Sequence, residues 1–222
     1  GADPENMLAW VALSEAHDKE EDLDAALWYL ERAFELATDN RVVEEELRQL
    51  YGRRDGVELS RVQLTRGALA RLYLKGDLLP RAINEFRALL DENPERMDLA
   101  VALAEALWRN GQRLEASEVC QDLLDEQPYC LKANLILGEI WASSGREEGQ
   151  MYLQRAEALD PENRMAQELF GADSPLPMQE PQITLMEYGR PAAEEERPEW
   201  MAGVEAVSAE GPPLSEREAM LV

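Results

Sequence analysis

Catalysis or metal binding in this chain would have to start from one histidine, two cysteines and a large surplus of carboxylates. His17 stands alone on a helical run at a packing position, with no second group marked to act as its nucleophile or base. Cys120 and Cys130 are separated by nine residues, with no CxxC spacing and no further soft ligand, which argues against a metal site. Glu44-Glu45-Glu46 and Glu194-Glu195-Glu196 lack the alternating Asp/Asn–Gly loop that folds around calcium, so they read as solvated surface. Neither GxxxxGK[ST] nor GxGxxG is present to cradle a phosphate. The expectation is a protein that is not an enzyme, with no cofactor and no metal.

The charge balance narrows the partners. Asp plus Glu is 46 against 22 Lys plus Arg, a net charge of -24, so a phosphate backbone would be repelled and nucleic acid is an unexpected ligand. No stretch of eighteen apolar residues exists to insert in a membrane. Two cysteines build no disulfide framework, and no leader-like segment opens the piece, so a cytoplasmic protein is expected. Ala2-Asp3-Pro4-Glu5-Asn6 nearly repeats Leu159-Asp160-Pro161-Glu162-Asn163, as if the chain were cut from a longer array.

That echo leads to the elements that must position any functional side chain. Pro94, Pro128 and Pro161 follow one another at steps of 34 and 33. Tyr73, Leu107 and Trp141 share the 34-residue step, as do Leu69, Leu103 and Leu137, and Ala82 and Ala116. Within a period the apolar residues recur at three and four, for example Leu99, Leu103, Leu107 and then Leu114, Ala116, Val119, Cys120 and Leu123, which is one face of a helix. Gly76, Gly111 and Gly145 are placed to end the first helix of each pair in a left-handed turn, and the prolines mark the second turn.

Helix, turn, helix, turn with this register resembles the tetratricopeptide repeat (TPR), whose pattern is Trp-x2-Leu-Gly-x2-Tyr, Ala-x3-Phe and Pro. Trp10, Leu13, Ser14 and His17, then Ala26, Leu30 and Ala33, carry it in the first unit; Leu69, Ala70, Tyr73, Ala82, Phe86 and Pro94 in the next. Leu103, Ala104, Leu107, Ala116, Cys120 and Pro128 follow, then Leu137, Gly138, Trp141, Leu153, Ala156 and Pro161. The resemblance implies an all-α, right-handed α-solenoid with units at about 7–40, 63–96, 97–130 and 131–163. Residues 41–62 are too few for a full unit. They read as a degenerate fifth one, with a helix from Arg41 to Arg53 and a second helix that starts near Val57 and runs on unbroken to Leu74. Gly149 stands near the expected alanine of the fourth unit, which is one residue short. Residues 162–170 read as a capping helix that closes a domain spanning 1–170.

From Gly171 the composition changes. Residues 171–222 hold seven of the twelve prolines and only eight Leu, Ile, Val or Phe, with eleven acidic against three basic residues; this tail carries -8 of the charge and leaves -16 to the repeats. Such a segment is expected to be largely disordered, with short docking islands at Ile183–Tyr188 and around Trp200.

In this family the concave face is lined by the first helix of each unit. The resemblance places Leu8, Val11, Glu15 and Asp18 there, then Leu64, Gly67, Arg71 and Leu74, then Asp98, Val101, Glu105 and Trp108, then Lys132, Leu135, Glu139 and Ala142. Of these, Val11, Glu15, Arg71, Leu74, Val101, Glu105, Trp108, Lys132, Leu135 and Glu139 are the expected peptide-binding residues. The implied function is a protein–protein interaction scaffold or adaptor holding a peptide or partner segment, its own tail included, with self-association as a further option. The alternative is a regulatory or accessory module excised from a larger enzyme or signalling protein.

Overall fold

The computed structural model describes residues 3–57 and 60–179. Contacts divide the chain into two units, Gly1–Pro181 and Gln182–Val222, and the expected docking islands at 183–188 and Trp200 lie outside the described residues. Ten α-helices are described: α1 Met7–Lys19, α2 Leu23–Leu36, α3 Arg41–Asp55, α4 Arg66–Lys75, α5 Leu79–Glu92, α6 Met97–Arg109, α7 Arg113–Glu126, α8 Leu131–Ser143, α9 Glu148–Leu159 and α10 Arg164–Phe170. No strand occurs among the described residues. The fold is an all-α solenoid of helix pairs: α1/α2, α4/α5, α6/α7 and α8/α9.

Local chemistry starts these helices where the sequence places polar caps. Asn6, Asp22, Asn40 and Thr65 each accept a hydrogen bond from a backbone N–H of the first turn, at 3.0–3.1 Å from Ala9, Ala25, Val42 and Ala68. The Thr65 cap corrects one expectation. The helix thought to run from near Val57 to Leu74 begins at Arg66, because Thr65 holds an extended backbone (φ -68°, ψ 164°) and spends its hydroxyl on the first turn of α4. A second correction concerns the turn after α4. Gly76 has an ordinary φ of -86°, and Asp77 takes the left-handed conformation at φ 59°. The 34-residue register pairs Gly111 and Gly145 with Asp77, not with Gly76, and both glycines are left-handed at φ 78° and 80°.

Small residues let each pair cross closely. Ala26, Ala82 and Ala116 are fully buried, and Phe86, Leu30 and Cys120 fill the space beside them. First helices also pack side by side, α4 on α6 and α6 on α8. The irregular segment breaks that order: α3 packs on α2 and not on α4, and α2 itself meets α4. Two main apolar cores result. One runs through α4 to α8, and the other joins α1, α2, α3 and Val62. A third cluster gathers Leu135, Leu153, Ala156, Ala166, Phe170 and Leu176. The packed chain continues past the expected stop at Phe170. Asn163 Nδ2 donates to the Pro177 carbonyl at 2.8 Å and Gln167 Nε2 to the Leu176 carbonyl at 2.9 Å, folding 171–179 back on α10.

At the crossing of α8 and α9 backbone meets backbone. A Cβ added at Gly149 would stand 2.4 Å from the Ala142 nitrogen and 2.9 Å from the Gly138 carbonyl oxygen. Backbone cannot yield there as a side-chain tip would. Gly149→Ala should therefore cost about 1–3 kcal/mol of stability by overpacking, outweighing the ~1 kcal/mol that alanine gains over glycine within a helix. Urea unfolding measures it, and an unchanged midpoint would mean that the two helices separate freely.

Candidate binding groove

The first helices α4, α6 and α8 present Arg71, Lys75, Glu105, Arg109 and Lys132 to a common cleft of about 720 Å³. Opposite them stand Glu5 and Met7, just before and at the start of α1, and residues 35–39 at the end of α2. Leu131, Leu159 and Met165 close the remaining wall.

Charged groups organise this cleft and the seam beneath it. Arg71 Nη2 donates to Asp98 Oδ2 at 2.9 Å and to the Asp98 carbonyl at 3.1 Å, while its other terminal nitrogen pairs with Glu5. Lys132 Nζ bridges Glu5 and Glu105, the latter at 2.8 Å. Arg96, the residue before α6, donates to Asp98 Oδ1 and Glu35 Oε2, each at 2.7 Å. Glu35 also accepts from the Thr65 hydroxyl at 2.7 Å and pairs with Arg32 at 3.2 Å. Gly67 makes room for that carboxylate: a Cβ there would lie 2.4 Å from Glu35 Oε2. Glu35, Arg96 and Asp98 are 3%, 7% and 2% exposed, so the seam is a buried ionic network between the core of α1–α3 and the core of α4–α8.

The pairs outweigh the burial that opposes them. Burial pushes the Glu5 carboxyl up, but Lys132 and Arg71 hold it below the ordinary carboxylate range. Asp98 behaves alike: burial is opposed by Arg96 and Arg71, and the carboxyl ends low. For Lys132, burial pulls down, and Glu5 and Glu105 carry the ammonium well above the ordinary lysine value.

The expected site residues divide. Arg71, Glu105 and Lys132 meet in the cleft, with Leu74 on its wall. Val101 and Leu135 are each 1% exposed and pack in the core, which removes them from an open surface. Leu74 at 7% adds little surface of its own. Val11 packs against the α1–α3 core and Glu15 is exposed on α1, neither lining the cleft. Trp108 is half-buried; its ring meets Phe170 edge-on at 5.0 Å, and its Nε1 donates to Glu139 at 2.9 Å. Both partners hold the end of the solenoid together. Glu139 is bonded on its other side to Arg113 at 3.0 Å. Sequence reasoning missed Glu5, Glu35, Arg96 and Arg109. Glu5 had a signal, since its Asp-Pro-Glu-Asn turn recurs at 160–163, but nothing in the pattern pointed it into a groove.

Away from the cleft, Cys120 and Cys130 are both buried free thiols; burial pushes Cys120 far up and Cys130 up to about 11, leaving neither as a ready thiolate. Among the described residues no three His, Cys, Asp or Glu groups are placed to hold a metal ion. No helix there is long and apolar enough to cross a membrane.

Residues 68–129 and 101–164 match the family model described as Tetratricopeptide repeat. Residues 68–164 thus carry tetratricopeptide repeats, a repeat that in general serves as a protein-interaction scaffold. No curated protein matches it. Among solved structures it is similar to YrrB, described as a TPR protein with an unusual peptide-binding site, at 16% identity over 72% of this chain and 89% of that one, TM-score 0.41. It is also similar to the MamA protein, at 16% identity, 72% and 94% coverage and TM-score 0.39. A third is a Podosopora anserina putative kinesin light chain with nearly identical TPR-like repeats, at 19% identity, 72% and 98% coverage and TM-score 0.35.

Two measurements probe the seam. Arg96→Met leaves the Glu35 and Asp98 carboxylates buried with fewer partners and should cost about 3–5 kcal/mol in chemical unfolding; a loss below ~1 kcal/mol would show the network to be dispensable. The pH dependence has a definite sign. Glu5 and Asp98 are depressed in the fold, so their contribution is complete above their unfolded values and is lost as pH falls through the lower folded ones. Lys132 is raised, so its share survives to strongly alkaline pH. Thermal melts should stay level from neutral pH to about 5 and fall below about pH 4.

Proposed function

We propose that this protein is a non-catalytic scaffold that holds an extended or helical peptide segment of a protein partner in the groove lined by α4, α6 and α8. One observation carries the reading: three consecutive first helices place Arg71, Lys75, Arg109 and Lys132 in one open cleft beside the carboxylates of Asp3, Glu5, Glu35, Asp39 and Glu105, so charges of both signs line it. Charges of both signs in one cleft fix the register of a bound segment, and the cleft's four cations are the groups that a partner's carboxylates would meet. Leu131, Leu159 and Met165 supply the apolar contact that side-chain pockets of such grooves use. The chain's own tail, acidic and with apolar islands at Ile183–Tyr188 and Trp200, is among the segments of suitable chemistry, in cis or from a second copy. Tethering at roughly millimolar effective concentration would let a weak intrinsic affinity suffice.

Arg109 is the residue to change, because it faces the cleft and its partners Asp77 and Glu105 are i,i+4 or surface contacts. Arg109→Glu should lower capture of the partner on immobilised protein by tenfold or more while leaving the melting temperature within a few degrees. Exposed Leu114 on α7 is 73% accessible and not in the cleft, so Leu114→Ser is the matched control that should leave capture unchanged. Equal loss at both positions, or at neither, would place recognition elsewhere.

A further inference from the structure

We propose that residues 3–6 are a cis-acting gate on this groove, in which Glu5 occupies the Arg71–Lys132 pair that an acidic side chain of the partner takes when the groove is filled. The inference rests on the groove reading above and adds its regulation. Glu5 reaches across the molecule: its carboxylate joins Arg71 of α4 and Lys132 of α8, 66 and 127 residues away in sequence. Both cations keep a second carboxylate without it, Asp98 for Arg71 and Glu105 for Lys132. Withdrawal of Glu5 therefore leaves the helices of the solenoid bonded to one another but exposes two half-satisfied cations in a cleft. Leaving charge unpaired in a partly buried site is costly, and an incoming carboxylate removes that cost.

The segment that carries Glu5 is otherwise held from its own side. Trp10 Nε1 donates to the Pro4 carbonyl at 3.1 Å, Asn6 caps α1, and α1 packs chiefly on α2, with Asp18 paired to Arg53 of α3 at 2.6 Å. Release of the gate is thus a local event: it breaks the two Glu5 pairs, leaves both main cores in place, and costs those pairs until an incoming carboxylate replaces them. A partner carboxylate and Glu5 cannot share the same donor pair, so binding and gate closure compete.

The test uses the full chain and a fluorescein-labelled synthetic peptide of residues 182–201, which contains Glu187, Glu194–Glu196 and Glu199. Glu5→Gln keeps the shape and removes the charge. By anisotropy it should bind the peptide at least tenfold more tightly than the unmodified chain. The gain should vanish when the peptide's glutamates are all glutamine, and when Lys132→Gln is added to Glu5→Gln. In hydrogen exchange, saturating the unmodified chain with the acidic peptide should speed exchange at residues 5–10. Equal affinity for both proteins, equal affinity for both peptides, binding to neither protein, or unchanged exchange at 5–10 would each overturn the gate. Those results leave the groove itself to the Arg109→Glu capture experiment, so the two readings fail separately.

Discussion

Much of this structure depends on one buried salt-bridge system, the guanidinium of Arg96 held between Glu35 and Asp98. Charges at this depth are expensive to desolvate, and their mutual attraction repays the cost only with good geometry and further hydrogen bonds. The seam meets both conditions. Glu35 also receives Thr65 and Arg32, Asp98 also receives Arg71, and Gly67 leaves the space that brings α2 against α4. Apolar contact would tolerate many ways of laying α1–α3 on the solenoid. Directed ion pairs accept very few, so the seam sets placement more than it adds stability.

That placement departs from simple stacking. In a repeat array each unit normally contacts only its neighbours. Here the described residues of 41–62 supply one helix, α3, and no partner helix after it, so α3 covers α2 and the array resumes from α2 to α4. The start of α1 consequently lies over the groove that the later units form. A contact spanning 127 residues, between Glu5 and Lys132, arises in a fold whose other contacts are mostly between adjacent elements.

The groove inherits its character from this arrangement. A chain of net charge -24 concentrates Arg71, Lys75, Arg109 and Lys132 along one cleft and offsets them with Asp3, Glu5, Glu35, Asp39 and Glu105. Neutralisation is local, and part of it comes from a segment outside the solenoid. Specificity in such a groove is a matter of which carboxylate is held, where, and against which competitor. The buried thiols and the lone His17, stacked on Tyr29 at 5.1 Å, take no part in it.

The amino-acid sequence alone determined the helix pairs, their 34-residue register and the residues that fill their crossings. Those features are local or nearest-neighbour, and periodic patterning records them directly: Ala82 with Phe86 and Ala116 with Cys120 were legible because each contact recurs. Arg71, Glu105 and Lys132 were legible for the same reason, since the face of a first helix repeats with the unit. Tertiary structure alone decided the rest. The helix expected from Val57 dissolved because a Thr65 cap outcompetes continued helix, and Val101 and Leu135 passed from groove to core because neighbouring first helices and the Phe170 cluster close over them. Glu5, Glu35 and Arg96 meet partners 61 to 127 residues distant. A pairing of that range occurs once, leaves no period in the sequence, and exists only after α2 has been laid against α4.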